Sequence, residues 1–110
     1  IRLRFAIAEM VVCVTCGKIG HWREMQNGHF ISRRKISTRW DEQNCHVQCP
    51  YCNETLGGNL DKYEKYIEAT YGPAAVFSLQ QKSQRTDKIS NAELQQMIIY
   101  YQEKVAFLLK

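Results

Sequence analysis

The residues able to do chemistry are concentrated between Cys13 and Asn59. Cys13-Val-Thr-Cys16 and Cys49-Pro-Tyr-Cys52 are two Cys-x-x-Cys knuckles, each of which presents two sulfurs to one ion. Four thiolates together make a tetrahedral site suited to zinc, which favours soft sulfur ligands. A redox pair would need only one knuckle in a βαβ setting, and that setting is absent from the pattern. With every position filled by sulfur, this ion is structural, so any catalysis must come from other groups.

Between the knuckles stands Gly28-His29-Phe30. An imidazole titrates near neutrality, so its neutral form can take a proton from water, as phosphodiester hydrolysis requires. Arg33, Arg34, Lys35 and Arg39 follow, with no acid between residues 31 and 40. Taken singly, each cation is equally a solvated surface group. As a cluster between Phe30 and Trp40 they read as phosphate contacts to DNA. Asn53, directly after Cys52, can aim its amide oxygen into the same space, and oxygen ligands suit Mg or Mn.

The elements that position these groups follow from periodicity and punctuation. Ile1, Phe5 and Ala8 share one stripe of an N-terminal helix. That helix is already under way at Ile1, so a further N-terminal segment is expected before it. Val11-Val12 is extended, and Gly17 permits the knuckle turn. Lys18 to Asn27 reads as a loop, followed by a strand near Gly28–Ile31, the basic loop, and a second strand over Asn44–Gln48. Alternation sends Asn44, His46 and Gln48 to one face, placed opposite His29, and Cys45 and Val47 to the other. Cys45 is expected in the core and His21 exposed and idle, while Asp41 and Glu42 either hold the loop or assist the metal.

Pro50 suits the first turn of a helix that starts at the second knuckle and stops at Gly57-Gly58. Asn59 is placed to cap a helix over Leu60–Tyr71 with the stripe Leu60, Tyr63, Ile67 and Tyr71, ended by Gly72-Pro73. Ala74–Gln84 is a shorter helix and Arg85–Lys88 a turn. Ser90-Asn-Ala-Glu93 is a capping box opening an amphipathic helix over 91–109, able to pack on this domain or on a second copy.

The chain has 110 residues, 45% of them apolar, and 15 Lys+Arg against 11 Asp+Glu give a net charge of +4. That length predicts one domain, residues 1–110, with a core at about 11–60 and a helical extension at about 60–110. Five cysteines, an odd number, fit metal binding in a reducing compartment better than a disulfide framework. No apolar run approaches the roughly 18 residues of a membrane span, and no signal peptide pattern is present. The expected setting is soluble and intracellular.

These residues resemble the HNH, or ββα-metal, nuclease superfamily and, within it, the phage NinG (Rap) recombination nucleases, related in layout to phage endonuclease VII. The resemblance rests on Ile1-Arg-Leu-Arg4, Cys13-Val-Thr-Cys16-Gly17, Gly28-His29-Phe30-Ile31-Ser32-Arg33, Asp41-Glu42, Asn44-x-His46-x-Gln48-Cys49, Cys52-Asn53, Gly58-Asn59 with Tyr63, and Tyr71-Gly72. It implies an α+β, mostly helical fold: an HNH-type ββα-metal core braced by the four-cysteine structural zinc and flanked by N- and C-terminal helices. It implies that His29 is the general base, Asn44 fastens the hairpin loop and Asn53 is a metal ligand. Many HNH enzymes carry Asp or His just before the base and a further His one turn after the last ligand, where this chain has Gly28 and Gly57. His46, on the polar strand face, is the candidate replacement ligand, with Asp41 or Glu42 behind it.

The expected function is a Mg- or Mn-dependent endonuclease that cuts branched DNA, such as Holliday junctions, in the cytoplasm of a bacterial host. His29 activates water and Arg33 and Arg34 position the phosphate. Paired cuts across a junction predict a homodimer, with the C-terminal helix as the candidate interface. A zinc-stabilised module that binds DNA without cutting it is the alternative, and a protein-interaction domain a third.

Overall fold

Two short antiparallel hairpins, each tied to one cysteine knuckle, carry the candidate site, and helices close over one side of them. The computed structural model describes residues 1–86 and 88–110. Strand β1 (Met10–Val12) pairs with β2 (Ile19–His21), and β3 (Gln26–His29) pairs with β4 (Cys45–Gln48). The first knuckle is the loop between β1 and β2: Cys13 N donates to Lys18 O, Gly17 N donates to Cys13 O, and Gly17 takes φ +79°. Val14 N donates to Val47 O at 3.1 Å, which brings this hairpin beside β4.

Between β3 and β4 the basic segment contains one helical turn, α1 (Ile36–Arg39). After β4, a short helix over Tyr51–Thr55 follows the second knuckle, with Pro50 already in helical conformation. Its turns are wide: Leu56 N donates to Tyr51 O and Gly58 N to Cys52 O. Then come α2 (Leu60–Tyr71), α3 (Ala75–Ser83) and α4 (Asn91–Leu108). The chain is an α+β fold, and the order hairpin-then-helix expected around the second knuckle is present.

The N-terminal helix is not. Ile7 and Met10 exchange backbone hydrogen bonds across a tight turn in which Ala8 and Glu9 have φ of 51° and 66°, values no right-handed helix contains. Arg4 explains the choice, because its guanidinium donates to Glu42 O and Cys45 O, both at 2.8 Å, and ties the N-terminal segment to the start of β4. The expected stripe also fails, since Phe5 and Ala8 are exposed and Leu3 is the buried residue. Residues 18–27, expected as a loop, hold β2, a 3-10 turn over Trp22–Glu24 and the start of β3. His21 is not idle: its Nδ1 accepts from Arg23 N and caps that turn.

The boundaries of α2 are those expected, but Asn59 does not cap it with its side chain. Asn59 sits at φ 49°, and its Nδ2 points to Cys52 Sγ instead. Ser90 does cap α4, accepting from Glu93 N at 3.1 Å. The turn expected over residues 85–88 includes Asp87, which lies outside the described residues.

Burial divides the core in two. Val11, Met25, Cys13, Cys49 and Cys52 form one cluster around the knuckles, and Tyr63, Ile67, Ala75, Val76 and Leu79 form another between α2 and α3. The β3–β4 hairpin lies between them. Helix α4 has no buried residue, and Ile98, Ile99, Val105 and Phe107 are exposed along it. Among the described residues, no helix is long and apolar enough to cross a membrane.

Candidate metal centre and candidate active site

The four knuckle sulfurs, of Cys13, Cys16, Cys49 and Cys52, all lie within 4.8 Å of one another. Cys16 Sγ and Cys49 Sγ are 3.7 Å apart, and a tetrahedron with Zn–S bonds of about 2.3 Å has edges of about 3.8 Å, so the donor set fits zinc. Cys52 N donates to Cys49 Sγ, a contact that suits a thiolate. Burial opposes the Cys13 thiolate, but hydrogen bonds from the Thr15 hydroxyl and from backbone N–H groups outweigh it and bring this thiol down to about 6. Cys16 is aided by the Lys18 backbone, yet burial and the neighbouring thiols of Cys13, Cys52 and Cys49 push it up to about 12. Cys13 and Cys16 are thus driven in opposite directions within one cluster, and a bound cation is what would let the sulfurs ionise together.

The register of the second hairpin decides which side chains can meet. Gly28 stands opposite His46 and His29 opposite Cys45, so His29 and His46 project from different faces of the sheet. On the His46 face the side chains of Asn44, His46 and Gln48 are buried, and of their polar atoms Gln48 Oε1 is left without a partner among the described residues. Asn44 Oδ1 accepts from Ile31 N at 2.7 Å while its Nδ2 donates to Ile31 O and Thr38 O, so this one amide spans the loop between the strands. Gln48 Nε2 donates to Thr15 Oγ1 and Gly58 O, which leaves the Thr15 hydrogen to Cys13 Sγ.

His46 is therefore not a replacement metal ligand. It is 1% exposed, with Nδ1 3.0 Å from Tyr63 Oη and Nε2 2.7 Å from Tyr71 Oη, both on α2. Tyr63 spends its own hydrogen on Gly28 O at 2.8 Å, so Nδ1–H must donate to Tyr63 and Nε2 must accept from Tyr71. Burial, with Arg4 adding to it, brings this imidazole down to about 4. Because the native pKa lies below the ordinary value of about 6.5, the unfolded chain binds the extra proton, and stability is lost as pH falls from about 6.5 toward about 4. Between about pH 7.5 and about pH 5 the wild type is expected to lose about 2 kcal/mol more than His46→Gln. Urea unfolding of both proteins at the two pH values measures this, and equal losses would refute it.

Gly28 is not a vacant ligand position either. A Cβ there would collide with Oε1, Cδ and Cγ of Gln48, which occupies the space a side chain would need. Asp41 and Glu42 hold loops: Lys82 Nζ on α3 donates to Asp41 Oδ2 at 2.6 Å, and Glu42 pairs with Lys104 on α4 at 3.7 Å. Cys45 is buried, its thiol donates to Arg39 O, and burial pushes it up to about 12.

The other face opens into a cleft of about 510 Å³ lined by Asn27, His29, Arg33, Arg39, Trp40, Asn53, Gly57 and Gly58. His29 Nε2 lies 2.8 Å from Arg39 O, and since a carbonyl only accepts, Nε2 carries the hydrogen and Nδ1 the lone pair. Asn53 Nδ2 donates to Gln26 Oε1 at 2.7 Å, and its Oδ1 has no donor among the described residues. Arg34 and Lys35 are exposed but do not line the cleft, so of the expected phosphate contacts the structure brings only Arg33 and Arg39 to His29. Asn27 and Gln26 were missed because β3 starts earlier than expected. Alternation back from His29 would have put Asn27 on its face.

A family model described as "Bacteriophage Lambda NinG protein" matches residues 1–110. The chain is similar to the "Protein ninG" of Salmonella phage P22, 29% identical over 94 residues that make up 84% of this chain and 45% of that relative. It is also similar to the "Protein ninG" of Escherichia phage 933W and of Enterobacteria phage VT2-Sa, 30% identical over 74 residues, 66% of this chain and 36% of each relative. The chain thus spans less than half the length of the curated relatives it matches. No solved structure matches it.

Proposed function

Since the chain belongs to the NinG family, matched along its full length, we propose that it is a divalent-metal-dependent DNA endonuclease domain with an HNH-type core, acting on branched DNA such as Holliday junctions in the host cytoplasm. The observation that carries this reading is the single cleft shared by His29, Asn53, Arg33 and Arg39 beside the cysteine cluster. In the proposed reaction, His29 Nδ1 takes a proton from the attacking water while Arg39 O holds the ring through Nε2. Arg33 and Arg39 place the phosphate and offset its charge. Exposed Trp40, with the Arg39 guanidinium 5.3 Å from its ring centre, offers a flat apolar surface at the mouth.

Asn53 Oδ1 fits a hard cation, but among the described residues no carboxylate lines the cleft. A Mg or Mn ion held there by Asn53 would draw its other ligands from phosphate and water and would stabilise charge on the phosphate. Two symmetric cuts across a junction call for a dimer, and the exposed apolar residues of α4 offer it a surface.

The test is to incubate the zinc-loaded protein with a labelled four-way junction and with linear duplex, with Mg and with no divalent ion added beyond the bound zinc. Metal-dependent nicking of the junction is expected. Salt-sensitive binding with no cutting in any metal would leave only the zinc-stabilised DNA-binding module, and absence of binding would overturn both.

A further inference from the structure

We infer that Gln26 is a positioning residue that fixes which atom of Asn53 the cleft receives, an inference that rests on the endonuclease reading above. The arrangement starts at Glu54, whose carboxylate oxygen is the acceptor of the first hydrogen bond. Its Oε1 takes Gln26 Nε2 at 2.9 Å, which sets the direction of the Gln26 amide and leaves Gln26 Oε1 for Asn53. Asn53 Nδ2 then donates to that oxygen at 2.7 Å. Reversing either amide would set two oxygens or two NH2 groups face to face, so the series has one allowed direction. The atom left over is Asn53 Oδ1, on a side chain that lines the cleft.

The direction decides the chemistry. An amide oxygen presented to the cleft can meet a cation or a water hydrogen, whereas an NH2 group there would instead meet a phosphate oxygen. Gln26 also opens β3, the strand that ends on His29. The general base and the oxygen ligand are thereby referred to the same strand, although Asn53 itself lies beyond β4 on the knuckle helix.

Substituting Gln26→Leu removes both hydrogen bonds without touching the cysteines or His29. The probe is Mn2+, with free ion followed by electron paramagnetic resonance while zinc-loaded protein is titrated in the presence of a four-way junction. The expected result is a 10- to 100-fold weaker Mn2+ affinity, roughly the effect of losing a group that orients a metal ligand. Zinc content and melting temperature should stay at wild-type values. In an Asn53→Asp background the carboxylate offers an oxygen whichever way it turns, so adding Gln26→Leu should change Mn2+ affinity by less than about twofold. The exchanged pair Gln26→Glu with Glu54→Gln keeps an acceptor for Asn53 and a donor to residue 26, and should restore affinity. Unchanged Mn2+ affinity in Gln26→Leu, or equal losses in both backgrounds, overturns the positioning role alone. No uptake of Mn2+ by the wild type overturns the endonuclease reading and this role with it.

Discussion

Stripping the metal with a strong chelator, or replacing Cys49 by Ser, is expected to unfold the hairpin core rather than merely loosen it. The apolar material around the knuckles is thin: Val11 and Met25 are the buried non-cysteine residues of that cluster, and Cys13, Cys49 and Cys52 supply the rest. Structural zinc contributes about 10 kcal/mol or more to folding in small modules, against a total stability of about 5–15 kcal/mol for a typical domain. Loss of the ion would also leave several thiols buried together. The expected signature is one zinc per chain released by acid, a collapse of near-ultraviolet circular dichroism on chelation, and recovery on adding zinc. Cys45→Ser should keep its zinc, because that thiol bonds to Arg39 O and is absent from the four-sulfur cluster. A chelated protein with an unchanged melting temperature would remove the metal from the folding account.

What the sequence made legible was mostly local. The knuckle spacing announced the sulfur cluster, and the Gly72-Pro73 stop and Ser90–Glu93 box located helix ends, because those signals act within a few residues. The failures were tertiary. Ile1, Phe5 and Ala8 are spaced like a helix face, but Arg4 reaches two carbonyls near β4, and no periodicity carries that information. His46 was correctly placed on a polar strand face with Asn44 and Gln48. The error was to equate a polar face with a substrate-facing one. Tyr63 and Tyr71 lie on the core stripe of α2 and carry the hydroxyls that satisfy His46 in the interior, which a reading of Tyr as apolar overlooks. Gly28, read as a missing ligand, is a consequence of the same packing, since Gln48 fills its side-chain space.

Replacing His29 by Ala is expected to lower cleavage of a four-way junction by about 10²- to 10⁴-fold, the usual contribution of a general base, while junction binding changes little. The asymmetry follows from what the imidazole touches. Its single described hydrogen bond is to Arg39 O, a contact whose loss costs about 1 kcal/mol, and the ring is only half-buried, so the fold should survive. Arg33 and Arg39, which would supply the electrostatic part of binding, are untouched. The opposite pattern is expected of Arg33→Ala, which should weaken binding and flatten its salt dependence by removing one phosphate contact. His29→Ala separates the two readings of the cleft because a DNA-binding module has no use for a lone pair held at Nδ1. If the variant binds as the wild type does and nicks at the same rate, proton abstraction belongs to some other group. If it binds normally and no longer nicks, the lone pair that the Arg39 carbonyl fixes on Nδ1 is the base.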